Sequence, residues 1–152
     1  MESPWIFSEE TSRQLHRRID ALKPDTKPLW GIMSSAQMLA HCCVPYEQAL
    51  GDHSHPLPII MKWLVRLFSR DLLVGEKPYG RSTPTAPAMK INDERDFERE
   101  KARLKDLIVR FQQKGEQYFE GREQITLGAL TAKEWHTLIY KHLDHHLTQF
   151  GT

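Results

Sequence analysis

The sequence predicts an all-α fold: a four-helix bundle with a long crossover between helices 2 and 3 that carries a short extra helix. Three observations support this prediction. Apolar residues recur at three- and four-residue spacing over several long segments. Helix-capping residues, prolines and glycines separate these segments, and no alternating β-branched run appears. A length of 152 residues suits a single domain spanning 1–152.

The first predicted helix opens at Ser8 and stops near Leu22. Serine is a preferred N-cap residue, and the two residues after Ser8 are acidic, as favoured in a first helical turn. Pro24 cannot continue the helix, so its end is expected just before that residue. The segment from Pro24 to Gly31 contains two prolines and a glycine and is therefore interpreted as a connector.

The second predicted helix starts at Ser34, which forms a capping-box pattern with Gln37. His41 falls on the apolar face of this helix, and we expect Pro45 to kink the helix just after it. A histidine on an apolar face is more often a core residue with one satisfied hydrogen bond than a metal ligand. The significance of His41 therefore depends on which side chains face it.

The crossover is predicted to run from Gly51 to Asn92 and to include a helix from Pro58 to about Arg70. In this helix Lys62, Arg66 and Arg70 form one polar stripe, and nearly every other residue is apolar. The helix is too short and too charged to span a bilayer. We expect it to be largely buried, with residues 59–68 also contributing to a homodimer interface.

Two irregular segments flank the crossover helix. The loop before it contains an H-x-H pair, His53 and His55, which can bind a metal at the surface but is a weak pattern by itself. The segment from Gly75 to Pro87 is rich in proline and glycine and is interpreted as a strap over the surface. The role of the H-x-H pair is left open.

The last two helices are predicted to be long. The third begins at residue 92 or 93 and runs to about Phe119, with an apolar inner face and a charged outer face. The fourth begins at Thr131, which forms a capping box with Glu134, and ends before Gly151. The loop between them is short, so these two helices are expected to be antiparallel neighbours.

His142 and His146 lie four residues apart on the fourth helix, so both imidazoles can converge on one ion. Histidines near a helix C-terminus also interact favourably with the helix dipole and need no metal for this. His41 can meet the pair only if the second and fourth helices are antiparallel, and the long crossover permits this topology. The loop lengths allow a three-histidine site without requiring it.

Composition argues against several classes of function. Lys plus Arg total 21 against 20 for Asp plus Glu, and this balance lacks the basic excess typical of nucleic-acid binding. The N-terminus has no basic region followed by an apolar run, so we expect no secretory signal and no membrane partner. Cys42 and Cys43 are sequence neighbours in a helix and cannot form an ordinary disulfide. A cytoplasmic location is the simplest expectation.

Several segments resemble the DinB/YfiT-like superfamily, whose members are regarded as metal-dependent enzymes. The resemblance rests on residues 33–41 (MSSAQMLAH) and 142–151 (HLDHHLTQFG), with residues 81–84 and 96–101 matching between them. It covers nearly the whole chain and is closest to an uncharacterised subgroup. The resemblance implies a four-helix bundle with a long crossover, in which one histidine of helix two and an i, i+4 pair of helix four hold a divalent metal.

Carried over to this sequence, the implied metal ligands are His41, His142 and His146. His145 belongs to the same motif but lies slightly off the inner line, so it is expected beside the site. Gln149 lies one turn beyond His146 and can hydrogen-bond a ligand or the metal-bound water. Other candidates for the pocket or for proton transfer are Gln37, Met38, Trp135, Trp30, Tyr46 and Tyr140.

Three neutral imidazoles with an open position suit zinc, nickel, iron or cobalt, because imidazole discriminates little among these ions. Zinc can lower the pKa of a bound water to about 7, which favours a hydrolase. An open position can also bind a thiol as thiolate, and the resemblance favours this because relatives include thiol-dependent transferases. The sequence lacks the H-E-x-x-H pattern, which excludes the corresponding metalloprotease mechanism.

Three functional hypotheses remain open from the sequence. The first is a metal-dependent hydrolase or thiol S-transferase acting on a small molecule. The second is a non-catalytic bundle that a metal stabilises or that binds a small molecule. The third is a helical interaction domain whose histidines are core or cap residues and which binds no metal.

Overall fold

Helices make up most of the structure, a computed structural model that describes residues 3–52, 57–81 and 83–152. In chain order the elements are α1 (Glu9–Asp20), α2 (Ser35–Leu50), α3 (Ile59–Phe68), α4 (Arg70–Val74), a 3-10 turn (Pro87–Met89), α5 (Phe97–Lys114), α6 (Glu116–Phe119), β1 (Arg122–Gln124), β2 (Gly128–Leu130) and α7 (Ala132–Gln149). The helix α2 packs against both α5 and α7, while α1 packs against α5 and α4 against α7.

The starts of α1, α2 and α7 confirm the capping residues predicted from the sequence. Ser8 accepts a hydrogen bond from the backbone of Thr11, so α1 begins where expected, although it ends at Asp20. A complete capping box opens α2, and a second one opens α7 between Thr131 and Glu134. These caps satisfy backbone N–H groups that a helix start otherwise leaves unpaired. Both histidine-bearing helices are thereby fixed at their N-terminal ends.

The third predicted helix is shorter at both ends than the sequence suggested. Its N-cap is Asp96, whose carboxylate accepts a hydrogen bond of 2.8 Å from the backbone of Arg99, so α5 does not begin at residue 92 or 93. It stops at Lys114 because Gly115 adopts φ +76°, a conformation outside the helical region. Only the short α6 follows, ending at Phe119. The predicted single helix to Phe119 was therefore wrong.

A two-stranded hairpin, absent from the predicted all-α fold, connects α6 to α7. The strands β1 and β2 are antiparallel, with Arg122 opposite Leu130. The side-chain oxygen of Gln124 accepts hydrogen bonds from the backbone N–H groups of Thr126 and Leu127, at 2.7 and 2.6 Å. These bonds close the turn. Each strand has three residues, which is too short to produce a recognisable alternating pattern in the sequence.

An aromatic cluster forms the centre of the core. Phe111 of α5 stacks on Phe119 of α6 at a centroid distance of 4.2 Å and lies 5.3 Å from Phe7. Tyr46 of α2 packs edge-on against the ring of Phe111 at a centroid distance of 5.5 Å. Trp135 of α7 lies 5.4 Å from Phe119. These five side chains join the segment before α1 to α2, α5, α6 and α7. They therefore fix the relative positions of the helices that carry the histidines.

Cys42 and Cys43 lie within the same core as free thiols. Both side chains are fully buried. Burial raises the pKa of the Cys43 thiol to about 12 and raises that of Cys42 well above its usual range, because a thiolate is poorly solvated in the interior. These residues therefore contribute apolar packing to α2.

The orientation of α3 contradicts the expectation that this helix is largely buried. None of its ten residues, 59–68, is buried. The predicted helix to about Arg70 is interrupted at Ser69, and Arg66 of α3 and Arg70 of α4 face the body of the protein, where they donate to carbonyl groups of residues 126 and 127. Val65 packs partly against the core, and the other apolar residues of α3 face outward. The sequence pattern identified the two faces of the helix correctly, but the inward and outward assignments were reversed. Along the described residues, no helix combines the length and apolar character needed to cross a membrane.

Candidate metal centre

Three histidines from two helices form a compact cluster. His41 comes from α2, and His142 and His146 come from α7, one helical turn apart. Their candidate ligand nitrogens all lie within 4.8 Å of one another, and the Nε2 atoms of His41 and His142 are 3.0 Å apart. The centroids of the three rings are 4.6 to 4.8 Å apart in every pair. This arrangement could hold a metal ion.

Hydrogen bonds on the outer nitrogens orient two of the three rings. His41 Nδ1 lies 2.7 Å from the carbonyl oxygen of Met89, which can only accept, so Nδ1 carries the proton and Nε2 keeps its lone pair. His146 Nδ1 lies 2.8 Å from Gln149 Oε1, while the amide nitrogen of Gln149 donates to the Trp30 carbonyl at 2.7 Å. That second bond fixes the amide orientation, so His146 also donates through Nδ1. Its Nε2 is therefore available for a ligand role.

The environment keeps the cluster neutral. Burial lowers the pKa of His142 well below its usual range, and the neighbouring His146 and His41 add to this effect. Burial and the proximity of His41 lower the pKa of His146 to about 3, and burial also lowers the pKa of His41. Neutral imidazole is the form that binds metal ions. All three side chains are therefore in their ligand-competent form near pH 7.

Two backbone carbonyls complete the surroundings, and sequence reasoning did not find them. The Trp30 carbonyl comes from the connector before α2 and the Met89 carbonyl from the end of the crossover. Gly31 has φ +84°, and a Cβ at this position would lie 2.7 Å from the amide nitrogen of Gln149. Only glycine lets the connector approach Gln149 this closely. The glycine in the connector was the sequence signal, although it does not identify its partner.

His145 points away from the cluster into a neighbouring cleft of about 210 Å³. Its ring lies 5.1 Å from that of His146 and 5.7 Å from those of Trp30 and Tyr79. The guanidinium of Arg81, which also lines the cleft, sits 4.6 Å above the Trp30 ring. The cleft thus has aromatic walls and a cationic side chain. The side chain of His145 lies between the cleft and the histidine cluster.

Lys141 fixes the crossover next to the cluster. Its ammonium group donates to the carbonyls of Leu72, Gly75 and Lys77 at 2.5, 2.6 and 3.1 Å. Burial lowers the pKa of Lys141 to about 8. Because Lys141 directly precedes His142, these bonds tie α4 and the segment after it to the part of α7 that carries the histidines.

The remaining sequence candidates occupy other places. Gln37 completes the cap of α2 and donates to the carbonyl of Asp93 at 3.1 Å. Met38 is a fully buried core residue of α2. Trp135 is also in the core, and its indole N–H lies 3.3 Å from the carbonyl of Arg122. These three residues therefore serve the cap and the core in this structure.

The two tyrosines considered as proton carriers also differ in environment. Tyr46 is fully buried in the aromatic core, and burial raises the pKa of its hydroxyl well above the usual range. Tyr140 is half-buried, with its ring 5.8 Å from that of His136. His53 and His55 lie outside the described residues.

Comparison with known proteins gives a family for this chain. Residues 10–152 match the model of the family described as "Protein of unknown function (DUF1569)". The comparisons with curated proteins and with solved structures each found no match. The family match includes all three histidines of the cluster and extends to the last residue. The chain therefore belongs to the DUF1569 family.

Proposed function

We propose that this protein is a metal-dependent enzyme that holds a divalent transition metal with His41, His142 and His146. The observation that carries the proposal is the convergence of three neutral imidazoles, two of which direct an unprotonated Nε2 inward because their Nδ1 atoms donate elsewhere. Three protein ligands leave coordination positions open for a small-molecule substrate. The reaction classes we propose are hydrolysis and thiol S-transfer.

The donor set fits this role. The Nε2 atoms of His41 and His142 are 3.0 Å apart, and the candidate ligand nitrogens of all three histidines lie within 4.8 Å of one another, so one ion could contact all three. Neutral nitrogen donors suit zinc, nickel, iron or cobalt. Such an ion would act as a Lewis acid toward a bound substrate. Gln149 and the Met89 carbonyl would hold the rings of His146 and His41 in place.

We also propose that the chain forms a four-helix bundle with a crossover and belongs to the DinB/YfiT-like superfamily. The packing of α2 on α5 and α7, together with α1 on α5, supports the bundle. The long segment between Leu50 and Phe97 joins α2 to α5, as a crossover requires. Two free thiols suit a reducing compartment, and we propose the cytoplasm.

We propose that the substrate approaches through the cleft beside His145. The rings of Trp30 and Tyr79 supply apolar walls, and Arg81 supplies a positive charge. The ring of His145 lies between this cleft and His146. A substrate held here would therefore lie one imidazole ring away from the cluster.

A non-catalytic, metal-stabilised bundle is the alternative. The cluster joins α2 to α7, and its outer hydrogen bonds reach both the connector and the crossover. A metal bound only to the folded state would stabilise this junction whether or not it catalysed a reaction. Cobalt-loaded protein separates the two proposals. A visible spectrum that changes on addition of a small thiol indicates an open position, whereas an unchanged spectrum with a large loss of thermal stability on chelation favours the alternative.

Metal content tests the step that both proposals share, which is the binding of a metal by the three histidines. Protein purified without a histidine tag and incubated with zinc is expected to retain about one equivalent after gel filtration, and the His142→Ala, His146→Ala double variant almost none. Replacing His16 by glutamine removes a histidine of α1 that contacts the carbonyl of Lys105, and should leave the metal content unchanged. Equal zinc content in the parent and the double variant would refute the site.

Gln149→Ala is expected to weaken zinc binding by about 10- to 100-fold. The substitution removes the acceptor that holds the His146 ring in position and keeps the proton on its Nδ1. The dissociation constant can be measured by competition with a chromophoric chelator. Gln112→Ala is the matched control, since the amide of Gln112 instead donates to the carbonyl of Phe7. Equal affinities for the Gln149→Ala variant and the parent would show that Gln149 does not orient His146.

A further inference from the structure

The outer surface of α3 is a continuous apolar face, which we call the α3 face. Its side chains are 40 to 76 % exposed; they are Ile59, Ile60, Met61, Trp63, Leu64, Leu67 and Phe68, with Leu72 of α4 beside them. We propose that this face is the interface of a symmetric homodimer in which it packs against the same face of a second copy. The proposal is independent of whether the histidine cluster binds a metal.

Polar contacts on the opposite side hold α3 in this orientation. Arg66 donates through Nε to the Thr126 carbonyl at 2.8 Å. Arg70 donates to the Leu127 carbonyl at 3.1 Å and forms a salt bridge of 2.7 Å with Glu134, the capping-box residue of α7. Rotating α3 to bury its apolar side would break the Arg66 contact, while the Arg70 contacts hold α4, which begins directly after Ser69. The apolar side is therefore directed outward by the fold itself.

The size of the α3 face matches what a stable dimer requires. At these exposures eight large apolar side chains present on the order of 1,000 Å², while a standard interface buries about 800 Å² on each partner. The largest apolar patch on a typical monomer is about 300 to 600 Å². The face thus exceeds the usual monomer surface and is large enough for an interface. Trp63 and Phe68 are 66 and 76 % exposed and are the residue types expected to anchor it.

The charges of α3 favour a second copy over an anionic membrane. Lys62 and Arg66 are the charged residues of this helix, and they occupy the polar stripe. Arg66 is already engaged with the hairpin, and Arg70 of α4 with the hairpin and α7, which leaves Lys62 as the one charge of α3 that could flank the apolar side and attract anionic lipid. Two identical uncharged faces complement each other when related by a twofold axis. The occupant consistent with both the area and the charge is the same face of another chain.

Sedimentation velocity of the full chain tests the proposal at concentrations from about 1 to about 100 µM. The parent is expected to be a dimer at the upper end. The single variants Trp63→Glu and Leu67→Lys each place a charge in the centre of the face and should raise the dimer dissociation constant at least tenfold. Ile32→Glu changes a fully exposed apolar side chain outside the face and should leave the dimer unchanged.

Three results would overturn the proposal. The first is a parent that stays monomeric throughout this concentration range. The second is a dimer that survives both charge substitutions in variants with parental circular dichroism. The third is sedimentation of the parent with vesicles of phosphatidylcholine and phosphatidylserine that Trp63→Glu abolishes, since the face would then be a membrane-binding surface. Loss of the dimer in both charge variants, but not in Ile32→Glu, would support it.

Discussion

Metal-free protein is expected to lose up to about 4 kcal/mol of its free energy of unfolding between pH 7 and pH 5, with His142 and His146 as the main sources. Both have a pKa below the ordinary value of 6.5 in the folded state because they are buried. Below about pH 6.5 the unfolded chain therefore binds protons that the folded chain does not. The stability is fully present above that pH and is lost as the pH falls toward about 3, the pKa of His146.

Urea unfolding in excess chelator at pH 7, 6 and 5, followed by tryptophan fluorescence, measures this loss. Below about pH 6.5, where the unfolded chain is protonated, each histidine that stays neutral in the folded state contributes about 1.4 kcal/mol per pH unit to the slope. His146→Gln removes one such group and should make the slope shallower by about that amount. A free energy of unfolding that does not change between pH 7 and pH 5 would show that these imidazoles are protonated in the folded protein.

Phe111→Ala is expected to lower the free energy of unfolding by about 3 to 5 kcal/mol. Phe111 is fully buried and stacks on Phe119, with Phe7 and Tyr46 at its other sides. The substitution removes the transfer energy of the ring, leaves a cavity and breaks three aromatic contacts at once. Urea unfolding at pH 7, with the same chelator concentration for parent and variant, measures the change.

Phe111→Leu is the matched control for this prediction. It keeps an apolar side chain at the position and leaves a smaller cavity, so the expected loss is about 1 to 1.5 kcal/mol. The two variants together relate the loss to the volume removed. A cost below about 1 kcal/mol for Phe111→Ala would mean that the aromatic cluster can close around the missing ring.

The starts of α1, α2 and α7 were predictable because capping is a local property. Each capping residue lies at a fixed distance in sequence from the helix start that it caps. The caps are Ser8, Ser34 and the pair Thr131 and Glu134, and each one pairs backbone N–H groups of its first helical turn. The hairpin was missed because its closure depends on one side chain, Gln124, and on strands of three residues. Neither feature produces a periodic signal.

The orientation of α3 could not be read from its pattern, since a helix with two distinct faces does not state which one turns inward. Here the carbonyls of Thr126 and Leu127 and the carboxylate of Glu134 offer acceptors that suit guanidinium donors. These acceptors belong to a segment about 60 residues further along the chain. Because their position depends on the tertiary fold, the usual assumption that the apolar side is buried failed.

The histidine cluster was predictable in part. The four-residue spacing of His142 and His146 places them on one side of a helix, and this follows from the sequence alone. The approach of His41 depends on how α2 packs on α7, which the loop lengths permitted without requiring. The partners that orient the rings include the carbonyls of Trp30 and Met89. A backbone carbonyl is present at every residue, so its role has no signature in the sequence.

The burial of Cys42 and Cys43 determines how the protein responds to thiol reagents. Maleimides and other alkylating probes react with the thiolate form of an accessible cysteine, and both native thiols are buried with raised pKa values. A single cysteine introduced at an exposed position such as Ile32 would therefore react selectively in the wild-type background. Fluorescent or spin labels could then be attached at one defined point without first replacing core residues.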